Sequence, residues 1–211
     1  MDFLKFTSVV GLLSDIALGF AAIFTACMAN KGLKAWKDEL AGKAQFATAQ
    51  SLFLNSLKLR NQIRRCRSPF ISFSEFPEGY ALPESNEAYT PKLSTQKFEA
   101  FRFAYQNRWD NLVPELQEFE DSAVQAEAIL DGSIKEATDA LVRCANKLQI
   151  SIGFYLDDIR NRGRDFEHEK EFGSKIKLDV MSGSDSKDKL SQDIDKALLD
   201  LKSLCGKYLN K

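Results

Sequence analysis

Residues 7–29 read TSVVGLLSDIALGFAAIFTACMA, a run of 23 positions interrupted by one charge, Asp15. Whether this run lies in lipid or in a protein core decides where every other residue sits. Crossing the hydrocarbon core of a bilayer takes about 20 mostly apolar residues, and residues 6–29 supply 24. A core helix of a soluble domain is usually shorter and keeps one polar face. The flanks carry a direction. Lys31, Lys34, Lys37 and Lys43 follow the run, whereas only Asp2 and Lys5 precede it. A Lys/Arg excess marks the cytoplasmic side of a span. The reading is therefore an anchor over residues 1–30 in a bacterial inner membrane, N-terminus outside, with residues 31–211 cytoplasmic. Trp36 falls where an interfacial aromatic would sit, and equally where the next helix would place its first core residue.

Two rivals to the span are a buried helix and a cleaved export signal. As a signal, the stretch has a poor n-region, a long apolar run and an aspartate inside it. Phe24-Thr25-Ala26-Cys27 loosely resembles a lipoprotein processing site, but the lysines that follow argue against export. Asp15 is the costly residue of the span, at about 2.5–3.5 kcal/mol for a carboxylate near the centre of an inserting helix. Thr7, Gly11, Asp15 and Gly19 recur every fourth residue and make a small, polar stripe. Small residues let helices approach closely in lipid, and a polar group there seeks a partner. The stripe is a candidate for span association; the alternative is an aspartate that reaches toward the outer surface.

The net charge of −1 conceals a division. Residues 31–67 hold nine Lys/Arg against two acids, and residues 68–211 hold nineteen against twenty-six. Asymmetry of this kind reports on partners or on a membrane surface, not on the fold. Sixteen Phe and an apolar content of 44% can fill a core. Cys27, Cys66, Cys144 and Cys205 are far apart with no C-x-x-C, the pattern of reduced thiols, not of a disulfide framework or zinc site.

Downstream of the anchor the apolar residues keep a helical period. Leu33, Trp36, Leu40, Ala44, Ala47, Leu54 and Leu57 predict a helix over about 31–66, with Gly32 and Gly42 as places to bend and Ser68-Pro69 as its stop. Four of the five prolines lie in 68–94, a long loop, with Phe70, Phe73, Phe76 and Tyr80 dense enough to pin it to a core. Phe98, Phe101, Tyr105, Trp109, Leu112, Leu116, Phe119 and Leu130 predict helix over 95–131, with Pro114 kinking it or starting a new helix. Ile134 through Ile159 predict another over 134–160. The short turn between them implies an antiparallel hairpin about 40–45 Å long. Residues 163–186 are polar and carry Gly and Ser, and read as loop with a short element near 176–180. A last amphipathic helix covers 187–209. The fold class is all-α: an N-terminal transmembrane helix and a cytoplasmic antiparallel bundle with coiled-coil-like packing.

The run WKDELAGKAQFATA (36–49), followed by LRNQIRRCRSPFI (59–71), resembles a group of uncharacterised bacterial single-pass membrane proteins. In those a W-x3-L-x-G-K helix and an R-x-P-F-I segment follow the N-terminal span. The pair Arg108-Trp109 is similar too. The resemblance covers roughly residues 5–120 and implies an anchor and a helical body; it implies no catalytic residue.

No motif of reaction chemistry appears. The one histidine is His168, and the position that would complete H-E-x-x-H is Phe172. There is no G-x-S-x-G, no P-loop and no G-x-G-x-x-G. The expectation is a chain that is not an enzyme and binds no cofactor or metal. The basic cluster Lys58, Arg60, Arg64, Arg65 and Arg67 could face anionic lipid, nucleic acid, or acids of this chain or a partner. A straight helix would carry residue 64 about 50 Å from the membrane. Five charges on an otherwise acidic domain are a weak nucleic-acid footprint. The acids of 115–139 (Glu115, Glu118, Glu120, Asp121, Glu127, Asp131, Glu136 and Asp139) are the favoured complement. The sequence thus points to a non-catalytic protein-interaction module whose partners are the bilayer and a protein or a second copy. Two alternatives are a membrane-active oligomer and a tether for nucleic acid.

Overall fold

The computed structural model describes residues 2–80, 91–130, 132–182 and 188–210, with the side chains of 2–17 and 91–94 outside the description. Every regular element among them is a helix: α1 (Asp2–Cys66), α2 (Pro91–Asp110), α3 (Val113–Ile129), α4 (Ile134–Arg160), α5 (Arg164–His168), α6 (Lys170–Val180) and α7 (Lys189–Leu209). A single 3-10 turn, Phe73–Glu75, interrupts the connection between α1 and α2. The all-α class follows directly.

The chain divides into two compact units, Met1–Gln45 and Phe46–Lys211. The first is the N-terminal part of α1, which continues through Gly32 and Gly42 without a break. Its large apolar residues from Leu18 to Leu40 are solvent-exposed. Among the described residues no helix is long and apolar enough to cross a membrane. The first half of the run 6–29, with Thr7, Gly11 and Asp15, belongs to the positions whose side chains lie outside the description.

The second unit is built around α4, which packs against α2, α3, α6 and α7. Its apolar residues step by three and four, so Ile134, Ala137, Leu141, Ala145, Leu148 and Ile152 form one buried stripe. Ala49, Leu52, Leu59, Ile63 and Cys66 of α1 join the same core. The interval is again three or four, except where buried Ser56 bonds the Phe53 carbonyl at 2.6 Å and supplies the missing step.

Pro114 resolves as the start of a new helix. α2 ends at Asp110, and α3 begins one residue before the proline. Near the N-terminus of a helix the missing N–H has no intrahelical partner to lose. The segment 163–186 differs most from its loop reading, since it holds α5 and α6. Gly163 sits at φ +79°, a turn conformation that favours glycine. Gly173 does something else: a Cβ there would lie 2.6 Å from the Phe166 side chain. It is a contact point between helices, so a residue that reads as a loop marker is here a packing device. Asp158 completes the corner by accepting the Phe166 N–H at 3.0 Å.

Candidate functional site

The distinctive chemistry lies where α1 ends, and two buried arginines organise it. Arg67 directly follows the last residue of α1 and is 1% exposed. Its Nε–H donates to the Asp179 carbonyl at 2.7 Å, Nη1 to the Ser191 hydroxyl at 2.8 Å, and Nη2 to the Leu178 carbonyl at 2.7 Å. Nη2 also donates to both carboxylate oxygens of Asp188, at 2.8 and 2.9 Å. Asp188 is the N-cap of α7 and accepts the Ser191 N–H at 3.0 Å. One guanidinium therefore takes up last-turn carbonyls of α6 and the capping carboxylate of α7. These are groups that helix ends leave unsatisfied. Burial by itself would push the Asp188 carboxyl up. Hydrogen bonds from the Ser191 N–H, Arg67 and the Ser191 hydroxyl outweigh that and hold it below its ordinary value.

Arg108, in the last turn of α2, grips the segment that follows α1. Its Nη1 donates to the carbonyls of Cys66 and Ser68, and Nη2 to that of Phe70 at 2.7 Å. Nε and Nη2 hold the two carboxylate oxygens of Glu75 at 2.6 and 3.0 Å. Glu75 also accepts the Ser72 N–H at 2.8 Å, closing the 3-10 turn. The Arg108 hydrogen bonds lower the Glu75 carboxyl below its ordinary range against the upward push of burial. Phe76 packs on Tyr80 and on Phe101 of α2, with ring centroids 4.9 and 5.6 Å apart. Residues 66–76 have little regular structure, but side chains hold the carbonyls of Cys66, Ser68 and Phe70 and the N–H of Ser72.

This clamp holds an apolar display. Phe70 is 82% exposed, and Pro69 and Phe73 are exposed beside it. A recess of about 420 Å³ adjoins the clamp, lined by Gln62, Arg65, Cys66, Glu75, Arg108 and Asn111. Glu75 is committed to Arg108, and burial pushes the Cys66 thiol up to about 11. Burial does the same to Cys144 and Cys205, each pushed up to about 11. Among the described residues no group of three or more His, Cys, Asp or Glu could hold a metal ion.

The other residues singled out from sequence fall as follows. Lys58 pairs with Glu118 at 3.0 Å, joining the basic end of α1 to the expected acidic stretch. Arg64 reaches Asp195 of α7 at 3.4 Å, and Arg60 bonds the side chain of Asn61 at 3.0 Å. Arg65 is exposed at the recess. Arg67 takes no part in a surface patch, because α6 and α7 close over it. Asp131 lies outside the described residues, and Glu127 is taken by Lys135 at 3.1 Å. Trp36 and Gly19 are exposed on α1. Sequence reasoning missed the role of Arg108 and Glu75. The signal was present in the pair Arg108-Trp109 and in an acid four residues beyond R-S-P-F-I, but the 33-residue separation of Glu75 and Arg108 hides their pairing.

Compared with protein-family models, with curated proteins and with solved structures, the chain matches none.

Proposed function

We propose that this chain is a membrane-anchored, non-catalytic protein-interaction module. Residues 6–29 insert in a bacterial inner membrane, the helical unit lies in the cytoplasm, and the clamped segment 68–76 is its docking epitope. The observation that carries the docking part is the pairing of opposites at Phe70. Its backbone carbonyl is held by a buried guanidinium at 2.7 Å, while its ring is 82% exposed. An apolar ring gains nothing from water, and a loop already fixed in one conformation loses little entropy on binding. Large aromatics in preorganised positions are the usual anchors of protein interfaces. The anchor part is supported by the length of the apolar run and by the lysines after it.

The test is a Phe70→Ser, Phe73→Ser double variant of the full chain, compared with wild type by in-cell photocrosslinking from a probe at Ser72. The expected result is a discrete wild-type adduct that the double variant loses, with unchanged abundance and unfolding midpoint. No adduct in either protein would remove the epitope.

The nucleic-acid reading is the weaker alternative. It loses Arg67 to burial, and Lys58 and Arg64 to ion pairs. Absence of salt-dependent binding of the full chain to DNA or RNA at low ionic strength would close it.

A further inference from the structure

The exposed part of α1 carries a pattern that its fold leaves unused. From Asn30 to Gln45 the large apolar residues are Leu33, Trp36 and Leu40 and no others, in steps of three and four. They are 49%, 58% and 55% exposed. Extended toward the N-terminus in the same register, the line passes through Ala29, Ala26, Ala22 and Gly19, also exposed. Around those small residues, Leu18, Phe20, Ile23, Phe24 and Met28 occupy the other sides. Seven successive positions at a mean spacing of 3.5 residues thus segregate by size in the first half and by polarity in the second. Lys43 at the next such position ends the line. A 3.5-residue repeat is the period of a helix wound on another helix, because an isolated helix of 3.6 residues per turn drifts away from it.

We infer that α1 pairs in parallel and in register with α1 of a second copy through Gly19, Ala22, Ala26, Ala29, Leu33, Trp36 and Leu40. Two observations select a second copy. The apolar area these positions leave bare is on the order of 500 Å² per chain, so pairing buries at most roughly 1,000 Å², the lower bound for a specific interface between two chains. Charge also fits. In a parallel pair the residues flanking the seam meet as Thr25 with Asn30, Gly32 with Lys37, and Glu39 with Ala44, so no like charges oppose each other. Glu39 is moreover held by Lys43 of its own helix at 2.7 Å. Small residues in the first half permit the close approach that favours helix pairing in lipid, and large ones in the second half supply packing in water. The pairing deepens the anchored-module reading only in that a shared membrane would hold two copies parallel; the seam stands without it.

The experiment is a cysteine scan of the full chain from residue 33 to 40 in a Cys27→Ser background, oxidised with copper phenanthroline in the membranes that hold it, or in buffer if it is soluble. Cys66, Cys144 and Cys205 are buried and stay silent. Crosslinked dimer is expected to peak several-fold at positions 33, 36 and 40 over position 38, which faces away. Uniform crosslinking along the scan, a peak at 38, or monomer throughout would overturn the pairing. Because the same cells report whether the chain sediments with membranes, a failed anchor and a failed seam are told apart.

Discussion

The guanidinium of Arg67 lies 2.8 Å from the carboxylate of Asp188, with the two side chains 1% and 3% exposed. The pair ties the end of α1 to the start of α7 across 121 positions of sequence. Two α6 carbonyls and the Ser191 hydroxyl complete the guanidinium's set. Desolvation makes a buried pair of small net benefit, but removing one partner strands the other. Arg67→Ala should therefore cost about 3–5 kcal/mol, read as a lower urea midpoint. Arg67→Lys should recover little of it, because an ammonium cannot reproduce the planar fork. A loss under 1 kcal/mol in Arg67→Ala would show that water replaces the arginine and that the hub is not structural.

Acid should find the same clamps. The carboxyls of Asp188 and Glu75 lie below their ordinary values of 3.8 and 4.5 in the folded chain. Between the folded and the ordinary value, the unfolded chain binds a proton that the folded chain does not. Their contribution is therefore fully present above about pH 5 and is lost as pH falls through the folded values. Glu75→Gln should be less stable than wild type at pH 7, and the difference should shrink as pH falls below the ordinary carboxylate range and through the folded value of Glu75. Thermal unfolding across pH 7 to 2.5 measures both. Parallel curves would mean that Glu75 contributes no pH-dependent stability.

Arg108 holds a loop more than it holds the core. Arg108→Ala should open residues 66–76 to faster amide exchange at Ser72 and Glu75, where the side-chain contacts of Arg108 and the 3-10 turn protect the backbone. Protection in α4 should fall only as far as global stability falls. Exchange that rises equally in both places would assign Arg108 a general role in the core.

Gly173 offers a test with a steric sign. A Cβ there would stand 2.6 Å from both Cβ and Cγ of Phe166, closer than real contacts allow. Although Ala is the better helix former by about 1 kcal/mol, Gly173→Ala should destabilise by about 1–3 kcal/mol, the range for overpacking. Phe166→Leu in the same chain should relieve part of the loss. A stabilised Gly173→Ala would show that α5 and α6 separate freely.

Much of the helical body was legible in the sequence because its period is written in apolar residues. The stripe from Ile134 to Ile159 predicts α4, and Pro114 carries two readings that the backbone resolves in favour of a new start. Within 163–186 the short element near 176–180 was legible and lies in α6, but α5 and the first turns of α6 were not, since Gly163 and Gly173 look alike in sequence while one makes a turn and the other a close contact. The basic cluster was legible as a set of charges but not in its uses. Lys58 meets the expected acidic stretch, whereas Arg67 is buried among groups over a hundred residues away. Burial of a charge depends on partners far along the chain, and local composition does not record them.

The central claim is that residues 6–29 anchor this helical unit in a membrane with residues beyond 31 on the cytoplasmic side. The most direct measurement is alkaline carbonate extraction of bacterial membranes holding the full chain, followed by protease treatment of spheroplasts and of inverted vesicles. The account predicts that the chain stays in the membrane pellet, survives in spheroplasts, and is cleaved in inverted vesicles to a short N-terminal remnant. Recovery of the intact chain in the carbonate supernatant would contradict the anchor, and cleavage of the helical unit in intact spheroplasts would contradict its orientation.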